Sequence, residues 1–188
     1  MIKIDINSFI LNTTKKKKYI IHGAQSLSKQ LPPELRRPTK DWDLWARNPQ
    51  QAMDKLEDDL DKASGGDYYY EKTVPLIGSK KGEMVYRVIS RITGEEVADF
   101  MKTPNEKNLY RVIGGIRWET LAHAKKVYQE ILKNPQTRFD RKAKARGDLN
   151  RILAFERQLN KGSVKEVPGM FKVAPLRVAP FSFIKPSW

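Results

Sequence analysis

Apolar and polar positions change period several times along the chain, and each change marks an expected element. Residues 2–10 alternate closely enough to predict a strand. Residues 18–22 predict a second short strand closed by Gly23, and residues 24–30 open a helix that Pro32 and Pro33 stop. Trp42, Leu44 and Trp45 surround two carboxylates in a further strand at 40–45. Met53, Leu56, Leu60 and Ala63 then recur at helical spacing, with Pro49 at a tolerated first-turn position and Gly65-Gly66 as the stop. Tyr68 to Tyr70 and Val74 to Ile77 read as strand material, followed by a Gly-rich turn at 78–82. The clearest hairpin pairs 84–92 with 96–101 across Thr93-Gly94-Glu95, and it buries Asp99 inside its second strand. From about Trp118 the period becomes helical through Leu121, Lys125, Tyr128 and Ile131. It does so again through Leu149, Ile152, Leu153 and Leu159, after an expected basic loop. Residues 163–188 carry Pro168, Pro175, Pro180 and Pro186 among large apolar side chains, which excludes a helix and suggests a segment that lies in a groove of its own domain or of a partner.

Strands and helices interleaved in this order, ending in two helices, are expected to form an α+β fold. The expected division is a core at 1–115, a helical part at 116–162 and an extended docking tail at 163–188. With 188 residues there is room for one domain of ordinary size. The absence of cysteine excludes disulfides, thiolate catalysis and Cys-ligated zinc or iron–sulfur sites. No apolar run approaches the ~20 residues of a membrane span. The N-terminal residues lack the pattern of a signal peptide, so the expectation is a cytoplasmic protein without membrane partners.

The 36 Lys and Arg against 22 Asp and Glu leave a net charge of +14. The surplus is concentrated at Lys15 to Lys18 and at Arg138, Arg141, Lys142, Lys144 and Arg146. Such clusters favour a phosphate-rich partner, and the second is the candidate nucleic-acid contact.

Against that basic background, two acids stand out. Asp41 and Asp43 lie two apart on an expected strand, a spacing that turns both carboxylates to one side, ~6.6 Å apart along the chain. Oxygen ligands so placed suit Mg²⁺. Asp99, flanked by Val97, Ala98, Phe100 and Met101, is an acid in apolar surroundings, which is costly unless paired or metal-bound. Three carboxylates sharing two metal ions form the arrangement used for displacement at phosphorus. A second acidic pair, Asp59 and Asp61, reads as a solvated helix face. His22 and His123 read as structural and surface residues, and Trp42, Trp45 and Trp118 as core.

The order strand, Gly turn, helix, basic loop, Asp-x-Asp strand, helix and Asp-bearing hairpin resembles the nucleotidyltransferase superfamily of the DNA polymerase β type, especially its minimal and AbiEii-toxin-like members. The matching stretches are 22–27, 37–44 and 97–100, with 119–125 and 146–149 resembling C-terminal helical motifs. The resemblance implies a mixed sheet flanked by helices and an NTP-using enzyme with two Mg²⁺ ions that transfers a nucleoside monophosphate to a hydroxyl of RNA or of a protein. It implies metal ligation and catalysis by Asp41, Asp43 and Asp99. It also implies nucleotide contacts from Gly23, Ala24, Gln25, Ser26, Arg37, Lys40 and Lys125. The sequence departs from the family pattern at Ala24, which brings no hydroxyl, and through an apparent insertion at 31–36. An alternative expectation is a nucleotidyltransferase-like fold that serves as a basic structural or binding subunit of a nucleoprotein or viral assembly, docked by its tail. A third is a nucleic-acid binder without catalysis.

Overall fold

The computed structural model describes residues 2, 4–76 and 83–162, so the Gly-rich turn and the proline-punctuated tail lie outside the described residues. Seven strands form one mixed sheet: β1 (Ile20–His22), β2 (Trp42–Ala46), β3 (Tyr69–Pro75), β4 (Met84–Ser90), β5 (Glu96–Lys102), β6 (Tyr110–Ile113) and β7 (Ile116–Glu119). Their spatial order is β3-β4-β5-β2-β1-β7-β6. The β2–β5 and β1–β7 pairs are parallel and the remaining neighbours antiparallel. Five helices flank it: α1 (Ile6–Lys17), α2 (Gly23–Gln30), α3 (Pro49–Ser64), α4 (Leu121–Lys133) and α5 (Phe139–Asn160). This is the expected α+β architecture.

Strand alternation divides the sheet into two unlike faces. Ile21, Leu44, Val88 and Phe100 point to one face, where Ile10 of α1 and Leu56 and Leu60 of α3 complete a core in which each of these side chains is at most 1% exposed. Full burial of each such side chain contributes about 1.5–3 kcal/mol. Their strand neighbours His22, Asp43, Arg87 and Asp99 therefore take the opposite face. That face is roofed by a second cluster in which Leu27 and Leu31 of α2 meet Leu121 and Ala124 of α4 and Ile152 and Phe155 of α5.

Three local expectations fail, each for a physical reason. Residues 6–17 are helix, not strand: Asp5 caps the N-terminus by accepting from the Asn7 and Ser8 amides, and the buried residues Ile10 and Thr14 recur at i, i+4. Trp118 ends a hairpin instead of starting a helix. Gly114 and Gly115, both at positive φ, make the two-residue turn between β6 and β7, and α4 begins only after the Thr120 cap. The basic stretch at 138–146 is the cap and first turns of α5, because Lys, Arg and Ala are strong helix formers even where no apolar stripe is present.

Candidate active site

The sheet register brings the chemistry together. His22 of β1 lies opposite Asp43 of β2, Asp43 lies beside Asp99 of the parallel β5, and Asp99 lies opposite Arg87 of β4. Four polar residues thus cross the middle of the sheet in one row. Asp41 stands one residue ahead of β2. Asp41, Asp43 and Asp99 all line a cleft of about 1510 Å³ that also contains Gly23, Arg37 and Lys144.

The charge environment differs along the row. Burial works upward on Asp41, but the hydrogen bond from Thr39 Oγ1 (2.9 Å) and the charges of Lys144 and Arg37 outweigh it, so the carboxyl stays below its ordinary range. Burial, reinforced by the Asp41 charge, pushes Asp43 up to about 7. Burial also dominates at Asp99, where Arg87 opposes and the Asp43 charge adds, again giving about 7. Arg87 Nη2 lies 3.2 Å from Asp99 Oδ2 and also pairs with Glu96. The other oxygen, Asp99 Oδ1, is buried without a hydrogen-bond partner.

An orphaned carboxylate oxygen beside a second carboxyl driven toward neutrality is the chemistry of a site short of positive charge, and an all-oxygen donor set suits a hard divalent cation. Asp43 and Asp99 offer oxygen donors of the kind such an ion takes, but Arg87 already takes one oxygen of Asp99, and Asp41, Asp43 and Asp99 do not bring three ligand atoms within 4.8 Å of one another as the sequence had led us to expect. Among the described residues, the three acids whose ligand atoms come within 4.8 Å of one another are Glu57, Asp61 and Asp67 instead. Asp61 there accepts from the Tyr68 and Tyr69 amides (2.7 and 3.0 Å), so it fixes a turn and is not the purely solvated acid expected.

The phosphate-facing candidates separate. Gly23 adopts φ +63°, and a Cβ there would lie 2.4 Å from Asp43 Oδ2, so only glycine lets the turn approach the acid so closely. Its amide donates to Glu119 Oε2 (3.1 Å). Ala24 lines the cleft, whereas Gln25 does not. Ser26 is buried, its hydroxyl donating to the Glu119 carbonyl (2.9 Å) and accepting from Gln30 Nε2 (2.9 Å), which corrects its assignment to the cleft. Arg37 lines the cleft and is fixed by bidentate pairing to buried Asp148 (2.9 and 3.2 Å). Lys40 instead pairs with Glu95 on the outer surface (2.8 Å), and Lys125 pairs with Glu156 of α5 (2.7 Å), so neither lines the cleft.

Of the basic run, Arg141 and Lys144 line the cleft. Arg138 pairs with Asp140, and Lys142 and Arg146 do not line the cleft. Sequence reasoning missed Arg87 and Glu119 as site residues, since both act through cross-strand and cross-element contacts that no local spacing encodes. It also misplaced His123, which is buried and bonded to Glu119 Oε1 (2.7 Å).

No protein-family model and no curated protein sequence matches this chain. Among solved structures, the Megavirus polyadenylate synthase superposes with a TM-score of 0.58 at 16% identity, over 80% of this chain. This chain spans 31% of that enzyme. JHP933 from Helicobacter pylori follows at a TM-score of 0.43 and 14% identity, over 83% of this chain and 73% of that one. The MenT4 nucleotidyltransferase toxin of Mycobacterium tuberculosis gives 0.35 and 14%, over 68% and 50%. The fold is of the nucleotidyltransferase type.

Proposed function

We propose that the chain transfers a nucleoside monophosphate from an NTP to a hydroxyl of RNA. The observation that carries this reading is the register of Asp43 beside Asp99, with Asp41 one residue ahead of the strand and the Gly23 turn against Asp43, in a fold shared with a polyadenylate synthase. Asp41, Asp43 and the free Oδ1 of Asp99 would hold divalent cations, whose chemistry is to neutralise the phosphates and the developing charge. Arg37, locked by Asp148, and Lys144 offer cations to the triphosphate. The acceptor oxygen bonds to the α-phosphorus while the bond to pyrophosphate breaks. The hydroxyl proton passes to Asp99 as general base. Positioning and charge supply most of the acceleration.

The test is incubation with labelled NTPs, Mg²⁺ and total RNA. Wild type should label RNA, and Asp41→Ala and Asp43→Ala should each lose at least a hundredfold in rate; equal labelling by all three defeats the assignment.

A second reading, a non-catalytic subunit of a nucleoprotein assembly, is favoured by two contacts. Glu119 takes the Gly23 amide that would face a phosphate, and Arg87 takes an oxygen of Asp99. It assigns docking to residues 163–188. On this reading, removing that segment abolishes co-purification with the partner while the remaining chain stays folded by circular dichroism.

A further inference from the structure

A second groove of about 1100 Å³ opens where β2 and β5 end and β1 and β7 begin. Trp45, Arg47, Asn48, Gln51, Lys102 and Thr103 are among the residues that line both this groove and the acidic cleft, so the two adjoin. Its lining is more one-sidedly basic than its neighbour's, where acids alternate with Arg37, Arg87, Arg141 and Lys144. Lys17, Lys18, Arg47, Lys55, Lys102 and Arg117 line it. Glu106 is its one acidic lining residue, and Lys126 already holds that carboxylate at 2.8 Å. Among the described residues Lys17, Lys18, Arg47 and Lys102 have no carboxylate partner, and all four are exposed.

Two features set this patch apart from a merely solubilising surface. Lys18 is the C-cap of α1 and sits at φ +59°, ψ +32°, a left-handed position where glycine is the least strained residue. A long cationic side chain is therefore kept at the groove against the backbone's own preference. Beside Lys18, whose carbonyl accepts from Arg117 Nη1 (3.2 Å), the Arg117 guanidinium lies over the ring of Tyr110, 4.8 Å from its centroid, and that tyrosine is 39% exposed. A ring backed by a cation forms a platform on which a base can stack.

We propose that this groove holds the single-stranded RNA acceptor: its phosphates lie along Lys17, Lys18, Arg47 and Lys102, one base stacks at Tyr110, and its 3′ end crosses the shared wall toward Asp43. The inference rests on the transfer reading above, because the acceptor hydroxyl must reach the carboxylates, and it removes the acceptor from α5, where the sequence had suggested it. A stacking ring beside phosphate contacts serves an unpaired base, so the groove suits a single strand and not a duplex.

Binding of a fluorescein-labelled 15-nucleotide single-stranded RNA of mixed sequence, followed by anisotropy across a salt series, tests this. Two triple variants of the full chain are compared with wild type: Lys18→Gly/Arg47→Ser/Lys102→Gln in the groove and Arg138→Ser/Lys142→Gln/Arg146→Gln on α5. The groove variant should bind at least tenfold more weakly, with the slope of log K against log salt smaller by about 2, three phosphate contacts at ~0.7 each. The α5 variant should stay within about twofold. Because Lys18→Gly relieves a strained cap, the groove variant should not melt below wild type by more than a degree or two, and Arg47→Ser/Lys102→Gln provides a second version with the native cap. The same RNA as a duplex should bind at least tenfold more weakly than the single strand. Equal affinity for duplex, loss of binding in the α5 variant alone, or no RNA binding by wild type each overturns the proposal. Labelled-NTP transfer measured in parallel separates the two readings. Groove-dependent binding without transfer sinks the catalytic assignment alone, while transfer that is indifferent to the groove variant in both rate and affinity sinks the groove alone.

Discussion

At the scale of single residues, His22 shows how burial can be made to serve position. Its ring stacks on Trp45 with centroids 4.1 Å apart, Trp45 meets His123 edge-on, and Nε2 is buried without a partner. Burial drives the imidazole down to about 4, against the pull of Glu119. A histidine lowered in this way stabilises the fold above its unfolded value of about 6.5, and that contribution disappears as pH falls toward 4, because the unfolded chain takes up the proton first. The upper bound is about 3 kcal/mol, from ~1.4 kcal/mol per pH unit. Denaturant midpoints for wild type and His22→Phe between pH 7.5 and 4.5 should converge on acidification, with wild type losing more; parallel curves would show that His22 does not titrate in this way. Spacing and composition made Asp41, Asp43 and Asp99 conspicuous, because an acid between tryptophans or inside an apolar strand stands out in one dimension, whereas Gly23 drew its expected role from the resemblance to the nucleotidyltransferase superfamily. Arg87 and Glu119 were not legible, since each acquires its role only when the register sets it against Asp99 or Gly23.

At the scale of elements, legibility followed the strength of the local period. The hairpin of β4 and β5 and the helix α3 were readable because their apolar alternation or stripe coincides with turn residues at both ends. Helix α1 was not, because in residues 2–10 a period of two masks the helical pair Ile10 and Thr14 and the cap at Asp5. The β6–β7 hairpin carried a usable signal in Gly114-Gly115, which the aromatic Trp118 and the helical stripe that follows obscured. The roof of α2, α4 and α5 is tied to the cleft in part by the ion pair of Arg37 with buried Asp148, which joins the segment before β2 to the middle of α5 and which Arg151 also approaches at 3.3 Å. Removing Arg37 leaves buried Asp148 with only the longer Arg151 contact, a cost that approaches the ~3–5 kcal/mol of a broken buried pair. Arg37→Leu should therefore lower stability by several kcal/mol, while Arg37→Leu/Asp148→Leu should recover more than half of it. A double variant no more stable than the single one, measured by urea denaturation, would show that the pair is not what holds the roof.

On the scale of the whole molecule, a chain of net charge +14 gathers Asp41, Asp43 and Asp99 into one cleft and, among the described residues, leaves a basic groove beside it. This segregation is costly without a cation, since Asp43 and Asp99 both titrate at about 7, far above the ~3.9 of an unfolded aspartate. The folded state then binds more protons than the unfolded one between those values, so the contribution of these groups to stability is greatest below about 4 and declines as pH rises through 7. Asp43→Asn keeps the shape and removes the charge. It should melt above wild type at pH 8 in chelator, and the gap should close as the pH approaches 4. A divalent cation reverses the order. At a hundredfold excess over its Kd, Mn²⁺ should stabilise wild type by about 2.7 kcal/mol, a rise of roughly 5–11 °C for a chain of this size. Asp43→Asn should respond by a degree or two. Scanning calorimetry with and without Mn²⁺ checks both halves. A wild type that ignores the metal would leave Arg87 as the counter-charge of this cleft and the acids as parts of a scaffold. A metal response retained in Asp43→Asn would move the ion to other ligands.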